Sequence, residues 1–179
     1  TGLANSWDPS IGGGGVICLA TDGSGNIYAG GDFISVGWSK RKFIAAFNAT
    51  TGQVTSWAPE ASNIVEELAF FNNTVYAGGN FSSIGGQSRN RIAGLNTTNG
   101  NATTFNPNPS AFAHIGDIVA ANNLIYVGGN FTSIGGQSKN NLAALDPTTG
   151  NATTWNPNPS SQVDAIAING NTAYLGGYF

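Results

Sequence analysis

Short apolar runs alternate with clusters of turn residues along the whole chain. One representative stretch contains the apolar runs Ile118–Ala120, Leu124–Val127, Leu142–Leu145 and Ala152–Trp155. The pair Asn122-Asn123 separates the first two runs at the spacing of a two-residue hairpin, and turns that contain Gly or Pro end the others. Four short strands joined in this way predict one antiparallel sheet. No segment shows sustained helical periodicity, so we expect almost no helix.

The pattern occurs four times, with a period of about fifty residues. The copies align on the segments Tyr28–Phe33, Tyr76–Phe81, Tyr126–Phe131 and Tyr174–Phe179. A repeat of this length made of short strands is the signature of a β-propeller blade. We therefore predict an all-β chain, a β-propeller built of four-stranded blades. The predicted units are residues 10–58, 59–106 and 107–156, with partial blade strands at 1–9 and 157–179.

The ends of the repeat pattern predict a propeller that is incomplete, with about three and a half blades. Thr1–Pro9 aligns with Thr149–Pro157 and corresponds to an outermost strand, whereas the last unit stops after its two inner strands. Joining the two would leave one blade without its third strand, and unpaired strand edges recruit other chains. We expect either a segment of a longer repeat protein or neighbouring copies that complete each other's blades. Such copies would meet by head-to-tail or edge-strand contacts, which give a filament if they do not close into a ring.

Composition makes the predicted surface neutral and polar. Charged residues are 8% of the chain, against roughly a quarter in typical soluble domains, and the formal net charge is −3. A negative chain lacks the basic footprint of a nucleic-acid-binding protein. No stretch approaches the roughly twenty apolar residues of a membrane helix. Cys18 is the single cysteine, and we expect it to act as a small apolar residue in a strand.

Residues shared by all units are expected to serve the fold. The paired glycines after each repeated Tyr allow inner strands to approach closely, and no helix start or lysine follows them as in a phosphate-binding loop. An aromatic residue followed two positions later by proline recurs at Trp7, Trp57, Phe105 and Trp155. We expect these rings to pack between adjacent sheets. The alternative is a ring of sugar-stacking aromatics.

Residues that differ between units are better candidates for binding. The first unit has Val36-Gly37-Trp38-Ser39-Lys40-Arg41-Lys42 where the second unit has residues 84–90. Half of the chain's six cations therefore lie beside an unmatched Trp. We predict that Trp38, Lys40, Arg41 and Lys42 form a site for an anionic glycan or partner surface. The alternative is a solvated loop whose Trp covers a neighbouring blade.

No catalytic, metal or cofactor site is predicted. Glu66 and Glu67 lie side by side, but adjacent residues of a strand point to opposite faces, which disfavours glycosidase chemistry. His114 has no Ser, Cys or Asp at motif spacing, and we expect it at the surface. The segment from Asp22 to Asn26 resembles part of a calcium loop, but it lacks the downstream Glu and coincides with a hairpin turn.

Seven sequons of the form Asn-x-Ser/Thr occur, at Asn48, Asn72, Asn80, Asn96, Asn101, Asn130 and Asn151. In a host that glycosylates proteins, the predicted glycosylation sites are Asn48, Asn96, Asn101 and Asn151, which follow or lie within the turns after the third strands. The sequons at Asn80 and Asn130 are poorer candidates, because Asp32 takes their place in the first unit. That exchange predicts a local side-chain hydrogen bond.

The whole chain resembles the delta-sixty type β-propeller repeats of secreted bacterial and archaeal surface proteins. The resemblance rests on the motif Tyr-x-Gly-Gly-(Asp/Asn)-Phe, followed by Ser-Ile-Gly-Gly-Gln-Ser and Thr-x-Gly, which residues 76–107 and 126–157 match nearly throughout. Fungal cortical polarity-marker proteins have a similar repeat. The resemblance implies an extracellular or cell-surface protein, often long and repetitive, and it brings no catalytic residues.

These features together predict a non-enzymatic extracellular structural or adhesive repeat protein that self-associates. Its expected partners are further copies of itself and glycans, rather than nucleic acid or a membrane. The alternative is a carbohydrate-binding propeller with lectin-like sites.

Overall fold

The computed structural model of the chain describes residues 7–179. Every regular element in this part is a β-strand, so the predicted all-β fold class is confirmed. The strands are β1 (Ile11–Gly12), β2 (Val16–Thr21), β3 (Asn26–Gly31), β4 (Ser35–Val36), β5 (Ser39–Lys40), β6 (Ile44–Asn48), β7 (Val65–Phe71), β8 (Thr74–Gly79), β9 (Ser83–Ile84), β10 (Gln87–Ser88), β11 (Ile92–Asn96), β12 (His114–Ala121), β13 (Leu124–Asn130), β14 (Ser133–Ile134), β15 (Gln137–Ser138), β16 (Leu142–Leu145), β17 (Val163–Asn169) and β18 (Thr172–Gly177).

The longer strands form four antiparallel sheets that follow one another along the chain. Sheet I is β2-β3-β6, sheet II is β7-β8-β11, sheet III is β12-β13-β16, and sheet IV is β17-β18. In sheets I to III the second strand lies between the first and the third. Within residues 7–179, sheet IV has only the first two strands. The three inner strands predicted for the third unit are confirmed as β12, β13 and β16.

The predicted fourth strand is reduced to a single bridge in each complete unit. Ala152 pairs with Leu145, and the matching pairs are Ala102 with Leu95 and Val54 with Phe47. The ladder ends there because the backbone bends: the N–H of Trp155 donates to Thr153 Oγ1 at 3.3 Å, and Pro157 follows. The expectation of a continuous strand over Ala152–Trp155 was therefore wrong.

The Gly-rich segment predicted as a loop contains a short hairpin in every complete unit. The hairpins are β4-β5, β9-β10 and β14-β15, and β1 adds a third strand to the first of them. Gly135 and Gly136 form the tip of the third hairpin, with φ of 61° and 76°, a conformation that favours glycine. Hydrogen bonds of 2.7 Å and 2.9 Å join this tip to Pro107 and Ala152, which holds the hairpin over the outer part of the sheet.

Neighbouring sheets pack against each other in sequence order through their first strands. β2 packs against β7, β7 against β12, and β12 against β17, whereas no comparable packing joins β17 to β2. Apolar side chains fill each of these three junctions. The sheets are therefore arranged as successive blades of a propeller whose last junction is open.

The paired glycines permit the close approach that the sequence predicted. A Cβ atom at Gly30 would lie 2.7 Å from Cγ1 of Val65, and one at Gly78 would lie 2.7 Å from Cγ2 of Ile115, both in the next sheet. The second glycine of each pair faces a β-bulge in the first strand of its own sheet. In sheet III, for example, a Cβ at Gly129 would collide with the carbonyl of His114, next to the bulge of β12. In each junction, therefore, a branched side chain of one sheet fills the space that the missing Cβ of a glycine leaves in the preceding sheet.

Candidate functional site

One end of the sheet series exposes apolar side chains that are buried in every other sheet. Val16 and Leu19 of β2 are 41% and 61% exposed. Val65 and Leu68 hold the same register positions in β7 and are 0% and 8% exposed, because sheet I covers them. We call the surface of sheet I formed by Val16 and Leu19 the leading face.

The other end exposes the surface that receives such side chains. Tyr174 of β18 is 57% exposed, whereas Tyr76, its counterpart in β8, is 2% exposed. A Cβ atom at Gly176 would meet only Ala165 of its own sheet, at 3.6 Å, so the gap filled in the other junctions is open here. We call the surface of sheet IV formed by Tyr174 and Gly176 the trailing face.

The recurrent aromatic residues pack between sheets, as predicted, but not equally. Trp57 and Phe105 are buried and lie edge-on to Tyr28 and Tyr76, with ring centroids 5.1 Å and 4.9 Å apart. The indole Nε1 of Trp57 also donates to the Asn96 carbonyl at 2.9 Å. These two rings belong to the core and cannot stack on a sugar.

Trp7 and Trp155, the two remaining members of this set, are only partly buried. Trp155 lies edge-on to Tyr126 with ring centroids 5.4 Å apart, and Trp7 is 6.1 Å from Phe47 in the same kind of contact. Trp7 precedes the first sheet and Trp155 lies at the junction with the two-stranded sheet IV, so each has fewer neighbours than Trp57 and Phe105.

Trp38 is the most exposed apolar residue of the described chain. It sits at the turn of the β4-β5 hairpin with its side chain fully exposed, at 107% of the reference area. Its ring borders a crevice of about 470 Å³ that is also lined by Asp8, Thr51 and Gln53. A matching crevice of about 570 Å³ lies beside the β9-β10 hairpin, where Gly86 replaces the Trp. Trp38 therefore adds an aromatic surface to a crevice that the fold repeats.

The four residues predicted as one ligand site do not all line the same crevice. Lys40 and Lys42 line a different crevice, of about 190 Å³, together with Glu60. The guanidinium of Arg41 donates to the carbonyls of Lys40 and Thr55, each at 3.0 Å. Trp38 and the two lysines thus remain available to ligands at separate crevices.

Arg41 has counterparts in the other units, which gives it a role in the fold. Arg89 donates to the carbonyls of Ser88 and Thr103, and Nζ of the buried Lys139 donates to the Trp155 carbonyl at 2.9 Å. A cation at this position ties the hairpin to the chain that leaves the blade. The alignment of Arg41 with Arg89 was the sequence signal for this role.

The carboxylates near the bulges of the first strands have different hydrogen-bond partners. Glu66 accepts a 2.7 Å hydrogen bond from Asn80 Nδ2, and Arg91 donates to the Oδ1 of the same Asn80. Burial, with the charges of Asp117 and Glu66, raises the pKa of Glu67 to about 7. Burial also raises the pKa of Asp117, which accepts the Ile166 N–H at 2.6 Å across the next junction. Asp117 thus bonds across a junction, whereas Glu66 bonds within sheet II.

Cys18 and His114 occupy the kinds of position that the sequence predicted. Cys18 is partly buried in the junction of sheets I and II, where its Sγ donates to the Val65 carbonyl at 3.8 Å. Burial, followed by the charge of Glu67, raises the pKa of this thiol to about 12, so it stays protonated at neutral pH. His114 is exposed at the start of β12.

The calcium-like segment at Asp22 is a hairpin turn. Oδ1 of Asp22 accepts the backbone N–H groups of Ser24 and Asn26 at 2.8 Å and 3.0 Å, and Oδ2 accepts Asn26 Nδ2 at 2.5 Å. These hydrogen bonds outweigh partial desolvation and lower the pKa of Asp22 to about 2. Its oxygens are therefore occupied by the turn itself.

Two of the four predicted glycosylation sites, Asn48 and Asn96, are the last residues of β6 and β11, and the other two, Asn101 and Asn151, lie in the turns after β11 and β16. Asn48, Asn101 and Asn151 are exposed, and Asn96 is partly buried. Oδ1 of Asn48 accepts the N–H of Thr51 at 2.8 Å, which leaves its Nδ2 outside the turn. Within residues 7–179, the side-chain amides of Asn101 and Asn151 make no hydrogen bond.

The hydrogen bonds predicted at the Asp32 position are present in two of the units. Oδ1 of Asp32 accepts the Gly15 N–H at 2.5 Å, and Asn80 bonds Glu66 as described above. A side chain held in this way is a poorer acceptor for a sugar than a free turn amide.

The leading and trailing faces were not identified from the sequence as sets of residues. From the sequence, Val16 and Leu19 are indistinguishable from core residues, because the residues at the same positions in the later units are buried. The predicted incomplete ring was the available signal for an open junction. Residues 1–6, which the sequence assigned to a partial outer strand, lie outside the described residues.

Two segments of the chain, residues 72–102 and 120–151, match the family described as "Domain of unknown function (DUF5122) beta-propeller". The first segment runs from the β7-β8 turn to the bridge residue Ala102, and the second runs from the end of β12 to the residue before the bridge residue Ala152. The chain is therefore a β-propeller repeat protein. Comparison with curated proteins gave no match. Residues 7–179 contain no helix long and apolar enough to cross a membrane.

Solved structures resemble the chain in fold. The computationally designed Ika4 protein is 15% identical, with a TM-score of 0.67 over 97% of this chain and 92% of that chain. The designed Ika8 protein is 13% identical, with a TM-score of 0.59 over 90% of this chain and 55% of that one. A chain of the Mitotic Checkpoint Complex is 14% identical, with a TM-score of 0.59 over 90% and 45% of the two chains. At these identities the likeness concerns the fold alone.

Proposed function

We propose that this protein is a non-enzymatic structural or adhesive repeat protein whose copies associate head to tail. The leading face of one copy would stack on the trailing face of the next. One observation carries the proposal: Val16 and Leu19 are exposed at one end of the sheet series, and the gap over Gly176 is open at the other.

The junction between copies would repeat the geometry of the three junctions within the chain. Val16 would enter the gap over Gly176 as Val163 enters the gap over Gly128, where a Cβ would lie 2.9 Å from Val163 Cγ1. Thr21 would lie near Tyr174, since its counterpart Phe70 stacks on Tyr28 with ring centroids 6.4 Å apart. The two faces differ, so the contact is heterologous and produces a ring or a filament.

The expected affinity is modest. Burial of Val16, Leu19 and Tyr174 contributes roughly 1.5–3 kcal/mol for each side chain. Association costs about 4–15 kcal/mol in lost translational and rotational freedom. Assembly should therefore be reversible and should increase with protein concentration.

The proposed setting is extracellular or at a cell surface, in a repeat protein of the delta-sixty or fungal polarity-marker kind. The match of residues 72–102 and 120–151 to a β-propeller repeat supports the general class. A surface with few charges and many Asn, Ser and Thr residues is compatible with that setting. So are the exposed turn sequons at Asn48, Asn101 and Asn151, which with Asn96 are the proposed sites of sugar attachment.

Sedimentation velocity over a concentration series tests the head-to-tail contact. We expect the wild-type chain to grow beyond a monomer, and Leu19→Asp or Gly176→Leu to stay monomeric, because each variant blocks one face. A mixture of the two variants should stop at heterodimers, since each retains one intact face. Phe112→Asp is the matched control: Phe112 is 92% exposed, lies on neither face and should assemble like wild type. A wild-type chain that stays monomeric at every concentration contradicts the proposal.

A second function, carbohydrate binding, is favoured by the crevice beside Trp38. An exposed aromatic ring above polar groups such as Asp8, Thr51 and Gln53 suits a sugar ring, which offers both an apolar face and hydroxyl groups. A glycan array comparing wild type with Trp38→Ala tests it, with Phe112→Ala as the control for loss of an exposed ring. Sugar binding that Trp38→Ala abolishes and Phe112→Ala preserves supports the lectin function, and no binding of any glycan removes it.

A further inference from the structure

Two cations of the first unit face a common crevice without a protein partner. The chain has six cations, and four of them donate hydrogen bonds to protein oxygens: Arg41, Arg89, Arg91 and Lys139. Within residues 7–179, Lys40 and Lys42 make no hydrogen bond or ion pair through their ammonium groups. Both are exposed, and both line the crevice of about 190 Å³ that Glu60 also lines. We call it the lysine crevice.

Arg41 holds the segment that carries the two lysines. Its guanidinium donates to the carbonyls of Lys40 and Thr55, which ties the end of the β4-β5 hairpin to the chain that leaves the blade. Arg41 itself does not line the lysine crevice. It is therefore a positioning residue, and the two ammonium groups on either side of it are left for a ligand.

The same place in the third unit is a neutral crevice. Asn140 and Asn158 align with Lys42 and Glu60, and they line a crevice of about 400 Å³ together with other amides and hydroxyls. Nδ2 of Asn140 donates to Oδ1 of Asn158 at 2.8 Å, so the two amides satisfy each other. Lys42 and Glu60 form no such pair in the described chain. Two ammonium groups against one carboxylate therefore make the first unit's crevice positive.

The lysine crevice adjoins the crevice beside Trp38. Ser39 lines the Trp38 crevice, and the next residue, Lys40, lines the lysine crevice. Trp38 and Lys42 are four residues apart, which is at most about 14 Å of extended chain. A glycan of several sugar units can therefore place one ring against the indole and an anionic group between the lysines. Asp8 lines the Trp38 crevice and repels an anion there, which favours the lysine end for the anionic group.

We propose that the two crevices form one site for an acidic glycan, a sugar chain that carries carboxylate or sulfate groups. The proposal rests on the carbohydrate-binding function proposed for the Trp38 crevice and names its ligand class. The fully exposed indole offers an apolar surface to a sugar ring. The ammonium groups of Lys40 and Lys42 bind the anionic substituent, and the Glu60 carboxylate accepts a hydrogen bond from a sugar hydroxyl. A neutral glycan would use the Trp38 crevice alone.

Isothermal titration calorimetry compares three hexasaccharides on the full chain, at a protein concentration where it is monomeric. They are a polyuronate fragment, which carries carboxylates, a heparin fragment, which carries sulfates, and a neutral dextran fragment. We expect at least one acidic fragment to bind more tightly than dextran, and added salt to weaken only the acidic binding. The tighter of the two acidic fragments identifies the anionic group that the site prefers.

Variants of the two crevices separate the contribution of charge from that of the ring. Lys40→Gln and Lys42→Gln should each weaken acidic binding roughly two- to fivefold and leave dextran binding unchanged. Arg91→Gln is the matched control, because it removes a cation from the second unit and should leave every affinity unchanged. Trp38→Ala should weaken the binding of all three fragments.

The outcomes separate this inference from the carbohydrate function on which it rests. If acidic and neutral fragments bind alike and the lysine variants change nothing, the acidic site is overturned and carbohydrate binding stands. If no glycan binds here or on the array, both are overturned. A polyglutamate peptide is the last probe. If it binds as tightly as the acidic fragments and Trp38→Ala does not weaken it, the lysines recognise charge alone and the glycan site is overturned.

Discussion

The junction of sheets I and II and the junction of sheets III and IV are built from the same repeat positions but differ in completeness. Trp57 and Trp155 each lie edge-on to a Tyr of the preceding sheet, at nearly the same distance. Trp57 is 4% exposed and bonds the end of β11, whereas Trp155 is partly exposed beside a cavity. The difference comes from the third strand of the following sheet: β11 supplies it in the first case, and within residues 7–179 no third strand is present in the second.

This comparison shows that each unit completes the core of the unit before it. A residue of the repeat acquires its environment from its neighbour rather than from its own sheet, as in other repeat proteins. The same dependence explains why Tyr174 and Val16, whose counterparts are buried, are exposed at the two ends. Paired substitutions at equivalent positions can therefore test the account.

The largest effect is expected from removal of the two tryptophan rings. Trp57→Ala should lower the free energy of unfolding by about 3–5 kcal/mol, because it empties a complete junction. Trp155→Ala should cost at least about 1 kcal/mol less, since part of its ring already contacts water. Urea denaturation of both variants measures the difference. Equal losses would show that the two junctions are equally complete.

The next largest difference is expected between alanine substitutions at the glycine of a complete junction and at the glycine of the open one. Gly128→Ala places a Cβ 2.9 Å from Val163 and 3.1 Å from Ile166, and overpacking of this kind costs roughly 1–3 kcal/mol. Gly176→Ala places a Cβ in ordinary contact with Ala165, at 3.6 Å, and should change stability by less than about 0.5 kcal/mol. Thermal unfolding at a concentration where the chain is monomeric separates the two. A strongly destabilised Gly176→Ala monomer would mean that the trailing face is already covered.

A smaller contrast is expected between two tyrosines. Tyr76→Phe removes the 2.9 Å hydrogen bond to the Pro147 carbonyl and should cost roughly 0.5–1.5 kcal/mol. Tyr126→Phe removes a hydroxyl that has no acceptor within residues 7–179 and should be nearly neutral. Chemical denaturation of the pair checks this. A costly Tyr126→Phe would reveal a partner for that hydroxyl.

The smallest expected effect is a pH dependence at Glu67. Because burial raises its pKa in the folded chain to about 7, folding favours the protonated acid. Its contribution to stability is therefore fully present below the ordinary glutamate pKa and is lost as the pH rises through about 7. The melting temperature of wild type should fall more between pH 5 and pH 8 than that of Glu67→Gln.

Local patterns predicted most of the fold. The run Leu142–Leu145 became β16 with the predicted limits, and the paired glycines became the close contacts between sheets. The prediction of a fourth strand was wrong because the Thr153 hydroxyl accepts the Trp155 N–H. The backbone therefore bends after a single bridge and forms no ladder. That competition is local but depends on side-chain geometry that an apolar pattern does not contain.

The candidate site was harder to predict, because it depends on which neighbours are present. Trp38 was singled out because the other units have no counterpart to it; its full exposure and the crevice beside it are seen only in the three-dimensional arrangement. Arg41 was grouped with it from proximity in sequence, although its alignment with Arg89 indicated a role in the fold. Val16 and Gly176 look like core positions in any alignment of the units, and only the open junction distinguishes them.

Disulfide cross-linking between copies tests most directly whether the open junction is closed by a second chain. In the first two junctions the Cβ of Val65 or Ile115 lies 3.1 Å or 3.3 Å from the Cβ position at the facing glycine, close to the spacing of a disulfide. We would mix a Val16→Cys chain with a Gly176→Cys chain, both with Cys18→Ser, under mild oxidation. The account predicts a disulfide-linked heterodimer from this mixture, well above that from Phe112→Cys with Gly176→Cys. Cross-linking no greater than in that control would contradict it.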